Sequence, residues 1–208
     1  MLDKELRKFK DIVLVPAAKL IGHRVHPIAI TVIGFLIGAA AMVFLYKGNF
    51  TLALVFWAVN RILDGLDGLV ARISGKDTDI GGFLDIVADF FIYAAVPLVF
   101  AFRIGTVEYY RMAAVLLSLF YINASIWMSV SALLEKHHCE HDNSLTSLIM
   151  PRGVVEGFET IIFYTLMLLF PGTFIVIASA MAALLGVGII FRLIQAVKLL
   201  VKLKDADA

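Results

Sequence analysis

The sequence predicts an all-α fold, a polytopic integral membrane protein with six transmembrane helices preceded by an N-terminal interfacial amphipathic helix. Composition is the first observation: 61% of the 208 residues are hydrophobic and 17% are charged, and the mean hydropathy is +0.93. A soluble domain is only about 45–50% apolar. The second observation is that the apolar stretches are long and lack period-two alternation, which excludes the strands of a membrane barrel.

The predicted spans follow from the positions of charged, glycine and proline clusters. A spanning helix needs about 20 mostly apolar residues. Six segments meet this requirement, near 27–46, 51–72, 82–102, 112–134, 155–171 and 173–195. Only Pro171 and Gly172 separate the last two, and they predict a tight turn.

The N-terminal segment is predicted to lie on the membrane surface. Over residues 2–16, apolar side chains recur at helical spacing opposite Lys4, Arg7, Lys8 and Lys10. An ordinary solvated helix is the alternative interpretation. The mixed charges there lack a short apolar core with a cleavage site, so no removable signal peptide is expected.

Orientation is predicted from the distribution of lysine and arginine. An even number of spans places both termini on one side of the membrane, and that side carries most of the basic residues. They are Lys4, Arg7, Lys8, Lys10, Lys19, Arg24, Arg72, Lys76, Lys136, Arg152, Arg192, Lys198, Lys202 and Lys204. The opposite side has only Lys47, Arg103 and Arg111. Both termini are therefore expected on the cytoplasmic side of a plasma (inner) membrane.

The whole chain, 1–208, is interpreted as one membrane domain. It comprises the interfacial helix at 1–22, the six-span body at 27–195 and a cytoplasmic tail at 196–208. Gly34 and Gly38 form a GxxxG pattern, which packs helices within one chain or forms a dimer face.

Charge and cysteine content exclude several classes of protein. The formal net charge of +1 does not provide the basic field that nucleic-acid binding needs. The single cysteine, Cys139, excludes an intrachain disulfide. It lies beside His137, His138 and His141, but this spacing fits no standard closed zinc site, so a solvated loop is the favoured interpretation.

Four aspartates lie inside or at the ends of the second and third predicted spans: Asp64, Asp67, Asp85 and Asp89. One aspartate at a helix centre costs roughly 2.5–3.5 kcal/mol on insertion scales, so neutralisation is expected. Each pair shares one helix face, and the short connection between the spans makes them antiparallel neighbours. The four carboxylates are therefore expected to converge.

The neighbouring residues suit a diphosphate held by divalent cations. Mg²⁺ prefers carboxylate and phosphate oxygens, and two such ions offset four negative charges while bridging a diphosphate. Gly68 and Ala71 leave room for that group, and Arg72 provides a planar cationic fork. Gly81 and Gly82 open the third span, whose backbone N–H groups are expected to face an anion.

The spacing D-x2-D-G-x2-A-R-x8-G-x3-D-x3-D resembles the signature of the CDP-alcohol phosphotransferase (CDP-alcohol phosphatidyltransferase) family. All eight positions match, at Asp64, Asp67, Gly68, Ala71, Arg72, Gly81, Asp85 and Asp89. The resemblance implies transfer of a substituted phosphate from a CDP-linked lipid, such as CDP-diacylglycerol, to the hydroxyl of a small polar alcohol, with release of CMP. It also implies two Mg²⁺ or Mn²⁺ ions per site and a homodimer.

The same resemblance implies two groups of site residues. The metal ligands would be Asp64, Asp67, Asp85 and Asp89. The residues of the CDP site would be Gly68, Ala71, Arg72 and Gly81, with Gly81 permitting close packing. Asp89 would also be the general base for in-line attack on the lipid-side phosphorus, a chemistry that consists mostly of positioning and charge neutralisation.

The residues that follow Asp85 and Asp89 bear on which alcohol accepts the phosphatidyl group. Ile86 and Phe90 replace the Pro and Lys of the D-P-x-A-D-K pattern of phosphatidylglycerophosphate synthases. The run LDIVADFFIYAAVP looks more like phosphatidylserine synthases, so serine is preferred, with glycerol 3-phosphate as the alternative. Inositol phosphate ranks lower because that branch commonly has Ser and Arg at these two positions.

Three further residues, Arg152, Glu156 and Glu159, are candidate acceptor contacts at the start of the fifth predicted span. Together they suit a zwitterion such as serine. The alternative is an Arg152–Glu156 pair that only stabilises the helix start. Arg61, one turn before Asp64, either neutralises the site or contacts substrate.

A different class, the ion-coupled transporters, also places acidic residues inside spans. Such folds contain inverted repeats and broken helices, and neither is visible in this sequence. The donor's lipid type, acyl or archaeal, and the preferred metal stay open at this stage.

Overall fold

The computed structural model describes residues 14–22, 25–136 and 153–206, and these are helical with short connections and no strand among them. Helix α1 is seen over 14–22. The others are α2 Pro27–Lys47, α3 Phe50–Ser74, α4 Asp79–Ile104, α5 Val107–Lys136, α6 Gly157–Leu169 and α7 Phe174–Ala206. The all-α prediction is confirmed, and each predicted span falls on one helix.

Three predicted features lie wholly or partly outside the described residues. They are the interfacial segment up to residue 13, the histidine group at 137–141, and Arg152.

Glycine and polar caps set the boundaries of the first long helices. Gly48, Gly75 and Gly105 adopt the left-handed conformation, with φ of 79°, 62° and 74°, and end α2, α3 and α4. Asn49 then accepts a hydrogen bond from the Leu52 amide and begins α3. These signals are local, which explains why the helices begin and end close to the predicted positions.

Four helical segments are long and apolar enough to cross a membrane: Pro27–Lys47, Asp79–Ile104, Val107–Glu135 and Pro171–Val201. Helix α6 is apolar but shorter. Helix α3 has 25 residues, but from its middle onward it carries charged side chains, among them Arg61, Asp64 and Asp67, which reduce its apolar character. The chain is a multi-pass membrane protein, and the count of six spans stays a prediction.

The chain forms two compact units, Met1–Thr106 and Val107–Ala208. In the first unit, α2 packs against both α3 and α4. A Cβ atom placed on Gly34 would lie 3.4 Å from Leu63 Cβ, and one on Gly38 would lie 2.9 Å from Ile92 Cδ1. The GxxxG pattern is therefore used for helix packing within the chain, one of the two alternatives that the sequence left open.

Helix α1 also belongs to the core of the first unit. Ala18 is completely buried and packs with buried residues of α2 and α3, namely Ile30, Leu66, Leu69 and Val70. This contact places the C-terminal part of the predicted interfacial segment against the helices that carry the candidate site.

In the second unit, α7 packs against α5 and α6. The rings of Tyr109 and Phe174 stack with centroids 5.1 Å apart, and Val130, Leu134 and Ala196 form a buried cluster. Helix α7 continues through residues 196–206, which the sequence analysis assigned to a tail. No glycine or proline follows Gly188, so no helix-ending signal interrupts it.

Candidate active site

The four aspartates of the motif line one cleft in the first unit. Asp64 and Asp67 project from α3, and Asp85 and Asp89 project from α4. The other residues that line this cleft are Thr31, Gly34, Phe35, Asn60, Arg61, Ala88 and Ile92. Helix α2 therefore completes a site whose acidic side chains come from α3 and α4.

Asp67 is the most enclosed of the carboxylates on α3. It is 4% exposed, whereas the Asp64 side chain is 20% exposed. The Thr31 hydroxyl donates a hydrogen bond of 2.6 Å to Asp67 Oδ2. Sequence reasoning missed Thr31, and the available signal was a hydroxyl group in an otherwise apolar span.

Arg61 is a cation that contacts two of the carboxylates directly. Its Nη1 donates to Asp89 Oδ1 at 2.9 Å and lies 3.8 Å from Asp64 Oδ1. The same nitrogen donates to the Tyr93 hydroxyl at 2.8 Å. This geometry supports the neutralising role among the two roles that the sequence left open for Arg61.

The Arg61 guanidinium is fixed on its other sides as well. Its Nε and Nη2 donate to Asn60 Oδ1 at 2.9 and 2.7 Å, and Asn60 Nδ2 donates to the Gly34 carbonyl at 2.9 Å. The Arg61 Cζ atom lies 5.0 Å from the Trp57 ring centroid and 5.1 Å from the Tyr93 ring centroid. Both distances are within cation–π range.

The donor chemistry of the cleft fits a hard divalent cation. Asp85 interacts electrostatically with Asp64, Asp67 and Asp89, and among the described residues that line the cleft these four carboxylates outnumber the guanidinium of Arg61. Carboxylate oxygens are the ligands that Mg²⁺ prefers. In the parts of the chain that are described, no three acidic, histidine or cysteine side chains are gathered closely enough to hold an ion. The donor chemistry of a metal site is nevertheless present in this cleft.

The four residues implied for the CDP site lie along α3 and at the start of α4. The Arg72 side chain is exposed and passes over Gly68, where an added Cβ would lie 3.6 Å from Arg72 Nη1. Ala71 lies one turn beyond Gly68 and is partly buried. A Cβ on Gly81 would lie 3.3 Å from Thr78 Oγ1, a tight contact that the glycine avoids.

The expectation that the first amides of α4 face an anion is wrong for two of them. Thr78 is the N-cap, and its Oγ1 accepts a hydrogen bond from the Gly81 amide at 3.1 Å. Its carbonyl accepts one from the Gly82 amide at 3.0 Å. Capping occupies these donors because a threonine lies three residues before Gly81, where its side chain can reach the amide.

Glu156 and Glu159, the described candidates for acceptor binding, lie in the second unit. The Glu159 carboxylate accepts a hydrogen bond from the Glu156 amide at 3.0 Å at the start of α6. Glu156 Oε1 accepts one from the Gly153 amide at 2.8 Å and lies 3.7 Å from Arg192 Nη2. Both glutamates therefore stabilise the start of α6, and the described ionic partner of Glu156 is Arg192.

Arg192 is a buried cation that sequence reasoning did not select. Its side chain is 1% exposed, and its Nη1 donates to Asn123 Oδ1 at 2.6 Å. A Cβ on Gly153 would lie 2.5 Å from Arg192 Nη2, so the glycine permits this close approach. The signal in the sequence was an arginine inside an apolar run, which is costly unless it is paired.

A sequence model of the CDP-alcohol phosphatidyltransferase family matches residues 24–201. The inner membrane protein YnjF of Escherichia coli (strain K12) is 40% identical over 152 residues, 72% of each chain. An archaetidylinositol phosphate synthase of Pyrococcus horikoshii is 45% identical over 65 residues, which are 31% of this chain and 35% of that protein. An uncharacterised protein of Aquifex aeolicus is 33% identical over 93 residues, 44% of this chain and 47% of its own length.

Proposed function

This chain belongs to the CDP-alcohol phosphatidyltransferase family, and from that premise we propose that it moves a phosphatidyl group from CDP-diacylglycerol, or a related CDP-lipid, to a small polar alcohol. CMP is the second product. One observation carries the proposal: the four aspartates that match the family pattern come from two helices and line a single cleft. No packing requirement explains four acidic side chains in the apolar part of a membrane protein.

The four carboxylates are the proposed ligands of two divalent cations, Mg²⁺ or Mn²⁺. When bound, these ions would neutralise the charge of the diphosphate and of the leaving phosphate. Asp67 is held for this role by the Thr31 hydroxyl, which fixes one of its oxygens. Gly68, Ala71 and Arg72 would accept the CDP moiety, with the exposed Arg72 guanidinium beside a phosphate oxygen.

Asp89 is the proposed general base. It would take the proton from the acceptor hydroxyl as the acceptor oxygen forms its bond to the lipid-side phosphorus. The bond between that phosphorus and the bridging oxygen breaks, and CMP leaves with the electron pair. Asp89 is suited to this task because it lines the cleft with its side chain 30% exposed, which leaves it open to an entering hydroxyl.

Serine is the proposed acceptor, on the basis of the sequence around Asp85 and Asp89, and glycerol 3-phosphate is the alternative. Inositol phosphate gains support as a second candidate from the name of the archaetidylinositol phosphate synthase that resembles part of this chain. Arg152, Glu156 and Glu159 stay the proposed acceptor contacts.

We place the protein in the plasma (inner) membrane, in keeping with the name of its Escherichia coli relative. Both termini and the catalytic site are assigned to the cytoplasmic side from the distribution of basic residues. A homodimer is proposed from the family.

The test is CMP release from CDP-diacylglycerol by purified protein with Mg²⁺ or Mn²⁺, run separately with serine, glycerol 3-phosphate, inositol and inositol phosphate. One acceptor should support release, and EDTA should abolish it. Asp89→Asn should abolish turnover while retaining more CDP-lipid binding than Asp67→Asn does. Asp77→Asn is the matched control, because Asp77 lies exposed in the α3–α4 connection outside the pattern.

Two results would overturn parts of this proposal. Equal loss of CDP-lipid binding in Asp89→Asn and Asp67→Asn would contradict the assignment of Asp89 as base. Absence of both CDP-lipid binding and CMP release would favour the ion-coupled transporter instead.

A further inference from the structure

Arg61 occupies an unusual position for a cation in a membrane protein. Its side chain is only 9% exposed, and it projects from α3 into the same cleft as the aspartates. A buried charge in such a protein is costly and is normally paired. Here the paired groups are Asp89 and Asp64, two of the proposed metal ligands.

The surroundings of Arg61 hold its guanidinium in one place. Asn60 accepts two of its hydrogen bonds and is anchored to the Gly34 carbonyl of α2. Trp57 and Tyr93 lie within cation–π distance of the guanidinium. Because three helices contribute these contacts, the cation is part of the framework of the site rather than a flexible surface charge.

We propose that Arg61 is a built-in counter-cation and positioning residue: it orients Asp89 through the bond to Oδ1, and it offsets the charge of Asp64 and Asp89 before a divalent cation binds. The inference rests on the proposed function for the role of Asp89. The counter-cation part rests only on the ion pairs. A divalent cation that uses Asp64 and Asp89 must share these carboxylates with the guanidinium.

Arg61→Met separates this role from simple packing. Methionine keeps an unbranched, apolar side chain but removes the charge and all donors. Because Asp64 and Asp89 then lose their cation, the variant should bind Mn²⁺ more tightly, by about tenfold, which corresponds to about 1.4 kcal/mol. At saturating Mn²⁺, kcat should nevertheless fall by at least about tenfold, because Asp89 is no longer oriented. The KM for CDP-lipid should change little.

Arg61→Lys separates charge from geometry. Lysine restores a positive charge, so Mn²⁺ affinity should return close to the wild-type value. Its ammonium group lacks the planar fork and cannot bond Asn60 and Asp89 in the same way, so kcat should recover only in part.

Arg103→Met is the matched control. Arg103 lies in the same unit, 5.3 Å from the Phe50 ring centroid, and donates to the Tyr46 carbonyl at 2.9 Å. It is an arginine with an aromatic and a hydrogen-bonded partner, but it does not line the aspartate cleft. Its replacement should leave Mn²⁺ affinity unchanged.

Mn²⁺ binding is measured from the loss of the free-ion electron paramagnetic resonance signal, which needs no turnover, and circular dichroism gives the folded fraction of each variant. The proposal is overturned if folded Arg61→Met binds Mn²⁺ as the wild type does or more weakly, or if its activity falls only in proportion to the folded fraction. Failure of the proposed function is distinguishable, because it appears as absence of CMP release by the wild type, whereas the Mn²⁺ comparison still decides the counter-cation role.

Discussion

Replacing Gly38 with alanine tests whether α2 packing supports the aspartate cleft. The added Cβ would lie 2.9 Å from Ile92 Cδ1 and 3.0 Å from Asn60 Nδ2. Ile92 is 1% exposed, so a shift of its side chain disturbs neighbouring packed groups. Asn60 is held by the Gly34 carbonyl and in turn holds Arg61, so displacement of Asn60 should reach the Asp89 ion pair.

The expected change in the free energy of unfolding of Gly38→Ala is the sum of two opposing contributions. Alanine is favoured over glycine inside a helix by about 0.8–1 kcal/mol. Overpacking of a filled core costs about 1–3 kcal/mol. Gly38→Ala should therefore lower the free energy of unfolding by up to about 2 kcal/mol, and it should also reduce the rate of CMP release.

Gly34→Ala is the matched control on the same helix, one turn earlier. Its added Cβ would lie 3.4 Å from Leu63 Cβ, which is an ordinary contact. The stabilisation that comes from the higher helix propensity of alanine should therefore remain. The free energy of unfolding is measured for both variants by far-ultraviolet circular dichroism in mixed micelles. The difference between them should be about 1–3 kcal/mol. A Gly38→Ala protein as stable as Gly34→Ala would refute the reasoning.

Three other substitutions test the caps and the cleft. Thr31→Val should lower the free energy of unfolding by about 1.5–3 kcal/mol, because buried Asp67 loses a hydrogen bond to a charged group. Gly48→Ala should lower the free energy of unfolding by about 1–2 kcal/mol from the positive φ alone. The loss should be larger because the new Cβ would also meet the Arg103 guanidinium. Glu159→Gln should preserve the free energy of unfolding, since glutamine serves equally well in a capping box, but it should raise the KM for the acceptor, because the proposed contact loses its charge. Each is measured by the same unfolding and CMP-release assays.

The controls for these variants isolate the proposed causes. Thr31→Ser keeps the hydroxyl and should retain most of the stability, and equal losses in the serine and valine variants would count against the Asp67 hydrogen bond. Gly105→Ala carries only the strain of φ 74°, because no atom lies within 4 Å of the added Cβ. Gly48→Ala should therefore be the more harmful of the two. An unchanged acceptor KM in Glu159→Gln would count against direct acceptor binding by Glu159.

The positions of the helices and the four aspartates that line the cleft were predictable from the sequence because both depend on local information. Apolar length and the caps at Gly48, Asn49 and Gly75 determine where helices begin and end. Helical periodicity places Asp64 and Asp67 on one face, and the short connection brings Asp85 and Asp89 beside them. Two of the six predicted spans differ from the other four, because α3 carries the charges of the site itself and α6 has only 13 residues.

Only the tertiary structure decided which partner each polar group takes. Arg61 and Asp89 are 28 residues apart, and Thr31 and Asp67 are 36 residues apart. Periodicity gives the face on which a side chain lies, but the partner depends on which residue of another helix stands opposite, and that register comes from packing such as Gly38 against Asn60. The sequence by itself therefore determined the helices and the acidic chemistry, whereas tertiary packing decided that Arg61 neutralises Asp89 and Thr31 orients Asp67.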